Sequence, residues 1–202
     1  MKKLIITLAI ILYASSAFAL SPLEAKKKAM AARGKAAGGT CTLGVQSTTQ
    51  ASVQTIGAAD ATYYIGNYFN DASSRELCQV DITFYDEVGT VSGKNFYVKV
   101  WDLTDTTTLS TEKATSAAVA DGAITPEEWV AFPLVSNFTT TGGVNYAITL
   151  HMDTTDGSNH FRAVYTDSSD FSEGNMARWD IDKTQETNQL DYDINMKIYW
   201  IQ

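Results

Sequence analysis

The run Cys78-Gln79-Val80-Asp81-Ile82-Thr83-Phe84-Tyr85 alternates apolar and polar side chains without a break. A period of two puts Cys78, Val80, Ile82 and Phe84 on one face and Gln79, Asp81, Thr83 and Tyr85 on the other, the pattern of a half-buried β-strand. The alternation returns along the chain. Phe96, Val98 and Val100 alternate with Tyr97, Lys99 and Trp101. Val130, Phe132 and Leu134 follow, then Val144, Tyr146, Ile148 and Leu150, and Ile194, Met196, Ile198 and Trp200 close the chain. Residues 52–56 and 63–69 are earlier candidates. Turn-forming residues separate these runs: Gly89 to Gly93, Asp121-Gly122, Gly142-Gly143, Asp156-Gly157 and Gly174-Asn175. Such a series predicts an all-β fold, an antiparallel β-sandwich of jelly-roll type with about eight strands.

One hairpin can be drawn in detail. Asp156-Gly157 is a two-residue type I′ signal that pairs Asp153 with His160 and His151 with Arg162. Leu150, Met152, Phe161, Ala163 and Tyr165 then share an inward face, with His151, Asp153, His160 and Arg162 outside.

The first 40 residues read differently. Lys2 and Lys3 precede an apolar run from Leu4 to Tyr13, and Ala17-Phe18-Ala19 is a small-x-small cleavage site, so residues 1–19 read as a signal peptide. The run is shorter than the roughly 20 residues a spanning helix needs, and none of that length follows, so no membrane span is expected. Residues 20–40 read as a basic helical leader. Ser21, Pro22 and Glu24 form a start signal, Ala and Lys fill the middle, and Gly38-Gly39 ends it. Residues 41–202 form the predicted β-sandwich domain.

Charge divides along the same line. The whole chain carries −8. Two of the fifteen basic residues lie in the signal and five in the leader, which leaves eight against 22 acidic residues, a net −14, for the remainder. So acidic a body repels nucleic-acid phosphates, so no nucleic-acid partner is expected. Neutral ligands such as sugars, and cations, remain compatible.

A resemblance adds to this reading. Trp129-Val130-Ala131-Phe132, then Gly143-Val144-Asn145-Tyr146-Ala147-Ile148, and the ending Tyr192-Asp193-Ile194-Asn195-Met196-Lys197-Ile198-Tyr199 resemble a loose group of secreted bacterial and phage jelly-roll domains. That group is similar in shape to carbohydrate-binding modules, and its members mostly lack an assigned activity. The resemblance covers roughly residues 60 to 202 and implies a jelly-roll fold on a surface protein.

Candidate sites are few. Cys41 and Cys78, an even pair in an exported chain, are expected to form one disulfide. With only two histidines and no Gly-x-Ser-x-Gly or His-Glu-x-x-His signature, no enzyme activity and no catalytic residues are assigned. His151, Asp153 and His160 on the drawn hairpin are the nearest approach to a transition-metal site, but Arg162 opposes a cation there, and no metal ligand is assigned. The Asp180 to Asp191 stretch lacks the EF-hand glycine, having Gln185 in its place. No cofactor is assigned; a structural calcium stays open, with no ligands named.

Outward aromatics carry the functional expectation. Tyr85, Tyr97 and Trp101 fall on solvent faces, and a flat ring suits the C–H face of a pyranose. Trp101 is the expected anchor, with Tyr97, Tyr85 and Asp102 beside it; Trp129 is the rival, and Trp200 belongs to the core. An outward Trp101 would leave no core cavity when cut to Ala. The chain therefore reads as a secreted or periplasmic non-catalytic binding module for a polysaccharide or cell-surface glycan. The alternative is a self-associating structural or adhesive subunit of a surface assembly, fibre or virion. The exported protein should begin at Leu20 by intact-mass measurement; a product retaining Met1 would refute the signal reading.

Overall fold

The computed structural model describes residues 39–46, 52–56, 64–105, 107–153, 159–166, 174–179, 182–189 and 193–202. The signal and all of the basic leader but its last two residues lie outside these residues, as does the Asp156-Gly157 turn. Among the described residues there is no α-helix, and no helix is long and apolar enough to cross a membrane.

The strands are β1 (Cys41–Gln46), β2 (Ser52–Ile56), β3 (Tyr64–Asn70), β4 (Glu76–Val88), β5 (Asn95–Thr104), β6 (Thr108–Thr115) and β7 (Val119–Ala120). They continue as β8 (Trp129–Thr139), β9 (Asn145–Met152), β10 (His160–Thr166), β11 (Gly174–Trp179), β12 (Gln185–Gln189), β13 (Asp193–Ile194) and β14 (Met196–Ile201). All pairings are antiparallel. The first sheet runs β1-β14-β4-β10-β13, with β8 also on β4 and β2 also on β10; the second runs β12-β11-β3-β9-β5-β6, with β7 on β5. Two seven-stranded antiparallel sheets therefore form a sandwich. Among the described residues the expected eight or so strands become fourteen. β6, at a sheet edge, has no apolar-polar period and buries only Leu109 fully.

The alternating positions meet between the sheets. Val80, Ile82 and Phe84 of β4 pack with Phe96, Val98 and Val100 of β5, Phe132 of β8, Ile148 and Leu150 of β9, and Ile198 and Trp200 of β14. Phe84 and Phe96 meet edge-to-face at 5.7 Å, and both contact Phe161. Trp200 lies in this core against Phe69, as expected. A bulge in β4 between Leu77 and Gln79 alters one assignment: Leu77 takes the core position that the alternation gave to Cys78. The displaced Cys78 forms a disulfide with Cys41. That bond ties edge strand β1 to β4, its next neighbour but one across β14, and closing 37 residues is worth roughly 4 kcal/mol in the chain-entropy picture.

The drawn hairpin is corrected. Leu150, Phe161 and Ala163 are buried in the core as expected. However, β9 pairs β3 and β5 in the second sheet, while β10 pairs β4, β13 and β2 in the first. The chain crosses between sheets at this point. An inward face is satisfied equally well by two strands facing each other across a core, so periodicity cannot separate that from a hairpin.

One buried polar contact links the sheets. Asn67 of β3 points inward between Ile65 and Phe69 and is fully buried. Its amide nitrogen donates to Ile194 O at 3.1 Å, and Ile194 N–H donates to Asn67 Oδ1 at 2.8 Å. The side chain thus pairs with β13 as a neighbouring strand would. It acts where the chain leaves β10: Asn195 N–H bonds Val164 O, Thr83 N–H bonds Asn195 O, and β14 continues along β4. Asn67→Ala should orphan both Ile194 groups and cost about 2–4 kcal/mol by urea unfolding, since each buried unpaired group costs on the order of 1–3 kcal/mol. A loss under about 1 kcal/mol would show that the bridge is replaceable.

Candidate functional site

The expected aromatic row is split by the fold. Tyr97 and Trp101 stand on β5 in the second sheet, whereas Tyr85 stands on β4 in the first. Their outer faces are opposite sides of the sandwich, so no single ligand spans all three.

Trp101 does point away from the main core, but it is only 3% exposed. The reason is the small residues around it. Gly66, Ala147 and Ala177 occupy neighbouring positions on β3, β9 and β11, and they leave a trough in the outer face. Trp101 and Trp179 fill it with Leu109, with Tyr64, Tyr68 and Leu103 packed at the rim. Gly66 has no room for a side chain: a Cβ there would collide with the Ile148 carbonyl. A strap closes the top. Leu109 N–H bonds Lys183 O at 2.9 Å, and the Lys183 ammonium sits 4.5 Å from the Trp101 ring centroid. Trp101 is thus the centre of a second, smaller core and no open platform, which corrects its assignment as anchor. Asp102 is engaged too, in an ion pair with Lys113 at 2.6 Å. Tyr97 hydrogen-bonds Asp153, which raises its phenol pKa, and Asp153 also accepts from the Asn95 amide at 2.8 Å.

His151 belongs to the same cluster. Trp101 Nε1–H donates to Thr149 Oγ1 at 2.8 Å, and that oxygen lies 2.7 Å from His151 Nε2. The imidazole meets Tyr64 edge-to-face at 4.6 Å. Burial first, and the Lys99 ammonium second, push it down to about 3. His160 lies on β10 of the other sheet, so the two histidines and Asp153 do not converge. Among the described residues no group of three or more ligating side chains could hold a metal ion.

The outer face of the first sheet is different in kind. Tyr85, half-buried, carries the Arg162 guanidinium 5.3 Å from its ring. Arg162 forks onto Asp86, Nε to Oδ1 at 2.6 Å and Nη2 to Oδ2. That hydrogen bond, more than charge alone, lowers the Asp86 carboxyl pKa. Trp129 opens β8, opposite Thr83 of β4. Its half-buried ring carries the Lys197 ammonium at 4.0 Å from the centroid. Lys197 of β14 in turn opposes Asp81. Asp81 accepts from the Gln79 amide at 2.6 Å and from the Tyr199 hydroxyl at 2.7 Å, all three being buried. Thr83 is 8% exposed and its hydroxyl has no hydrogen-bond partner among the described residues. This face therefore gathers two half-exposed rings, two cations, two fixed carboxylates and an unused hydroxyl. The period-two pattern had placed Gln79, Asp81, Thr83 and Tyr85 on it; Lys197 and Trp129 join only through strand pairing.

No family model matches the chain, and no curated protein matches it.

The neutral His151 gives a pH test. Its folded pKa lies below the ordinary 6.5, so the unfolded chain takes up the proton first. The stability contributed by the neutral ring is complete above about 6.5 and declines as pH falls toward 3. The urea midpoint should therefore drop between pH 7 and pH 5, and His151→Gln should reduce that drop. An equal drop in both proteins would refute the assignment.

Proposed function

We propose that the chain is an exported, non-catalytic binding module of jelly-roll type that takes carbohydrate on the outer face of its first sheet. The observation that carries this reading is the pairing of Trp129 and Tyr85 on one face. Both are half-buried aromatic rings, set among Thr83, Asp81, Gln79, Lys197 and Arg162. Rings take the apolar face of a pyranose, while amide, hydroxyl and charged groups take its hydroxyls. The jelly-roll part is supported by two four-strand subsets, β2-β10-β4-β8 and β3-β9-β5-β6, between which the chain passes back and forth except at the β5–β6 pair. The resemblance to secreted jelly-roll domains agrees with it, and a disulfide fits an oxidising compartment.

A structural or adhesive subunit is the second reading. It is favoured by an exposed apolar residue on an edge strand, Leu43 of β1 at 44%, since unpaired edges are where chains add to one another.

The two aromatic faces can be told apart by substitution. Trp129→Ala should abolish retention on polysaccharide while leaving the thermal midpoint nearly unchanged. Trp101→Ala should cost about 3–5 kcal/mol, as a buried large-to-small change does. Full retention by a folded Trp129→Ala protein would overturn the site. Concentration-dependent assembly in size-exclusion chromatography, without glycan retention, would favour the second reading.

A further inference from the structure

We propose that the sugar taken by this face is acidic, and that Lys197 is the residue that selects it by exchanging the Trp129 ring for the sugar's carboxylate. The inference rests on the carbohydrate-binding reading of the same face and adds the ligand's charge.

Three adjacent features carry it. First, Lys197 makes no ion pair among the described residues; its ammonium rests on the Trp129 ring. The other outward cation of this face, Arg162, is neutralised by a two-point contact with Asp86. The carboxylate opposite Lys197, that of Asp81, is turned to the Tyr199 hydroxyl and the Gln79 amide. Second, a cation on a partly exposed ring gains only about 0.5–1 kcal/mol, so the ammonium is easily drawn away. A hydrogen bond to a carboxylate is the stronger partner for it. Third, Thr83 pairs directly with Trp129 and lies two residues from Asp81 on the same face. Its hydroxyl is buried and unpartnered among the described residues, an arrangement that costs free energy in the empty protein.

Together these describe a closed state that a uronate opens. Moving the ammonium off the ring frees the indole face for stacking beside Thr83, whose hydroxyl is left to meet a sugar oxygen. The same movement places the positive charge where a ring carboxylate would lie. A neutral sugar would have to displace the ammonium with nothing to offer it. The acidic surface elsewhere repels anions at long range, so selection depends on this local charge.

Calorimetric titration with a short oligogalacturonate and a galacto-oligosaccharide of equal length tests this, using the mature chain. The wild type should bind the acidic oligomer at least about tenfold more tightly, equivalent to about 1.4 kcal/mol. Lys197→Met keeps the apolar stem and should remove that preference, weakening the acidic oligomer while the neutral oligomer binds as tightly as before or more tightly, since no ammonium has to be displaced. Thr83→Val should weaken acidic-oligomer binding several-fold while leaving the unfolding midpoint unchanged or higher, because no hydrogen bond is lost on folding. Equal affinity of the wild type for both oligomers, or unchanged acidic-oligomer affinity in folded Lys197→Met, overturns the inference. Neutral binding that depends on Trp129 without an acidic preference overturns the charge assignment alone. Failure of the wild type to bind any oligosaccharide overturns both this inference and the module reading.

Discussion

The chain leaves β10 and joins β4 within a single residue, Asn195, and the rest of the first sheet depends on how that step is held. A strand that changes partners exposes backbone groups at the break, and inside a core such groups must be paired. Asn67 supplies the pairing from the opposite sheet with both atoms of its amide. Once β13 is fixed, β14 falls into register along β4, with Lys197 opposite Asp81 and Tyr199 opposite Gln79. The composition of the outer face follows from that register. A one-residue slip would send Lys197 inward and Ile198 outward.

The two outer faces of the sandwich illustrate opposite uses of aromatic residues. On the second sheet, small residues leave a trough, so Trp101 and Trp179 lie down and pack. On the first sheet, the positions around Trp129 and Tyr85 hold Thr83, Asp81, Lys197 and Arg162. These are long or polar, so the rings stay partly open and acquire cations above them. Side-chain volume on the neighbouring strands therefore decides which face is a second core and which remains available to a ligand. Tyr85 illustrates the point from the sequence side: the alternation puts it on an outer face, and there its ring meets Arg162, not Tyr97 or Trp101.

The tie between Cys41 and Cys78 has a structural logic that the cysteine count alone lacks. Strand β1 holds the sheet only through β14, and an edge strand with one neighbour frays easily. The β4 bulge brings Cys78 out of the core line and into reach of Cys41. A covalent tie at the start of β1 also shields β14 from pairing with another chain at that edge.

Sequence by itself determined the class of the fold, the disulfide pair and the inward positions of the long strands. Each of these follows from local facts: a period of two, an even number of cysteines, and apolar residues with nowhere else to go. Val80, Ile82, Phe84, Phe96, Phe132, Ile148 and Trp200 could be assigned to the core without knowing which strand lay beside which. Tertiary structure alone decided the partners. Whether β9 and β10 form a hairpin or face each other, whether an outward Trp101 is open or covered, and which side chains join Thr83 all depend on residues distant in sequence. Gly66, Ala147 and Ala177 look unremarkable where they stand. They matter because strand pairing sets them side by side beneath an indole, and pairing across a sheet is a property of the whole chain.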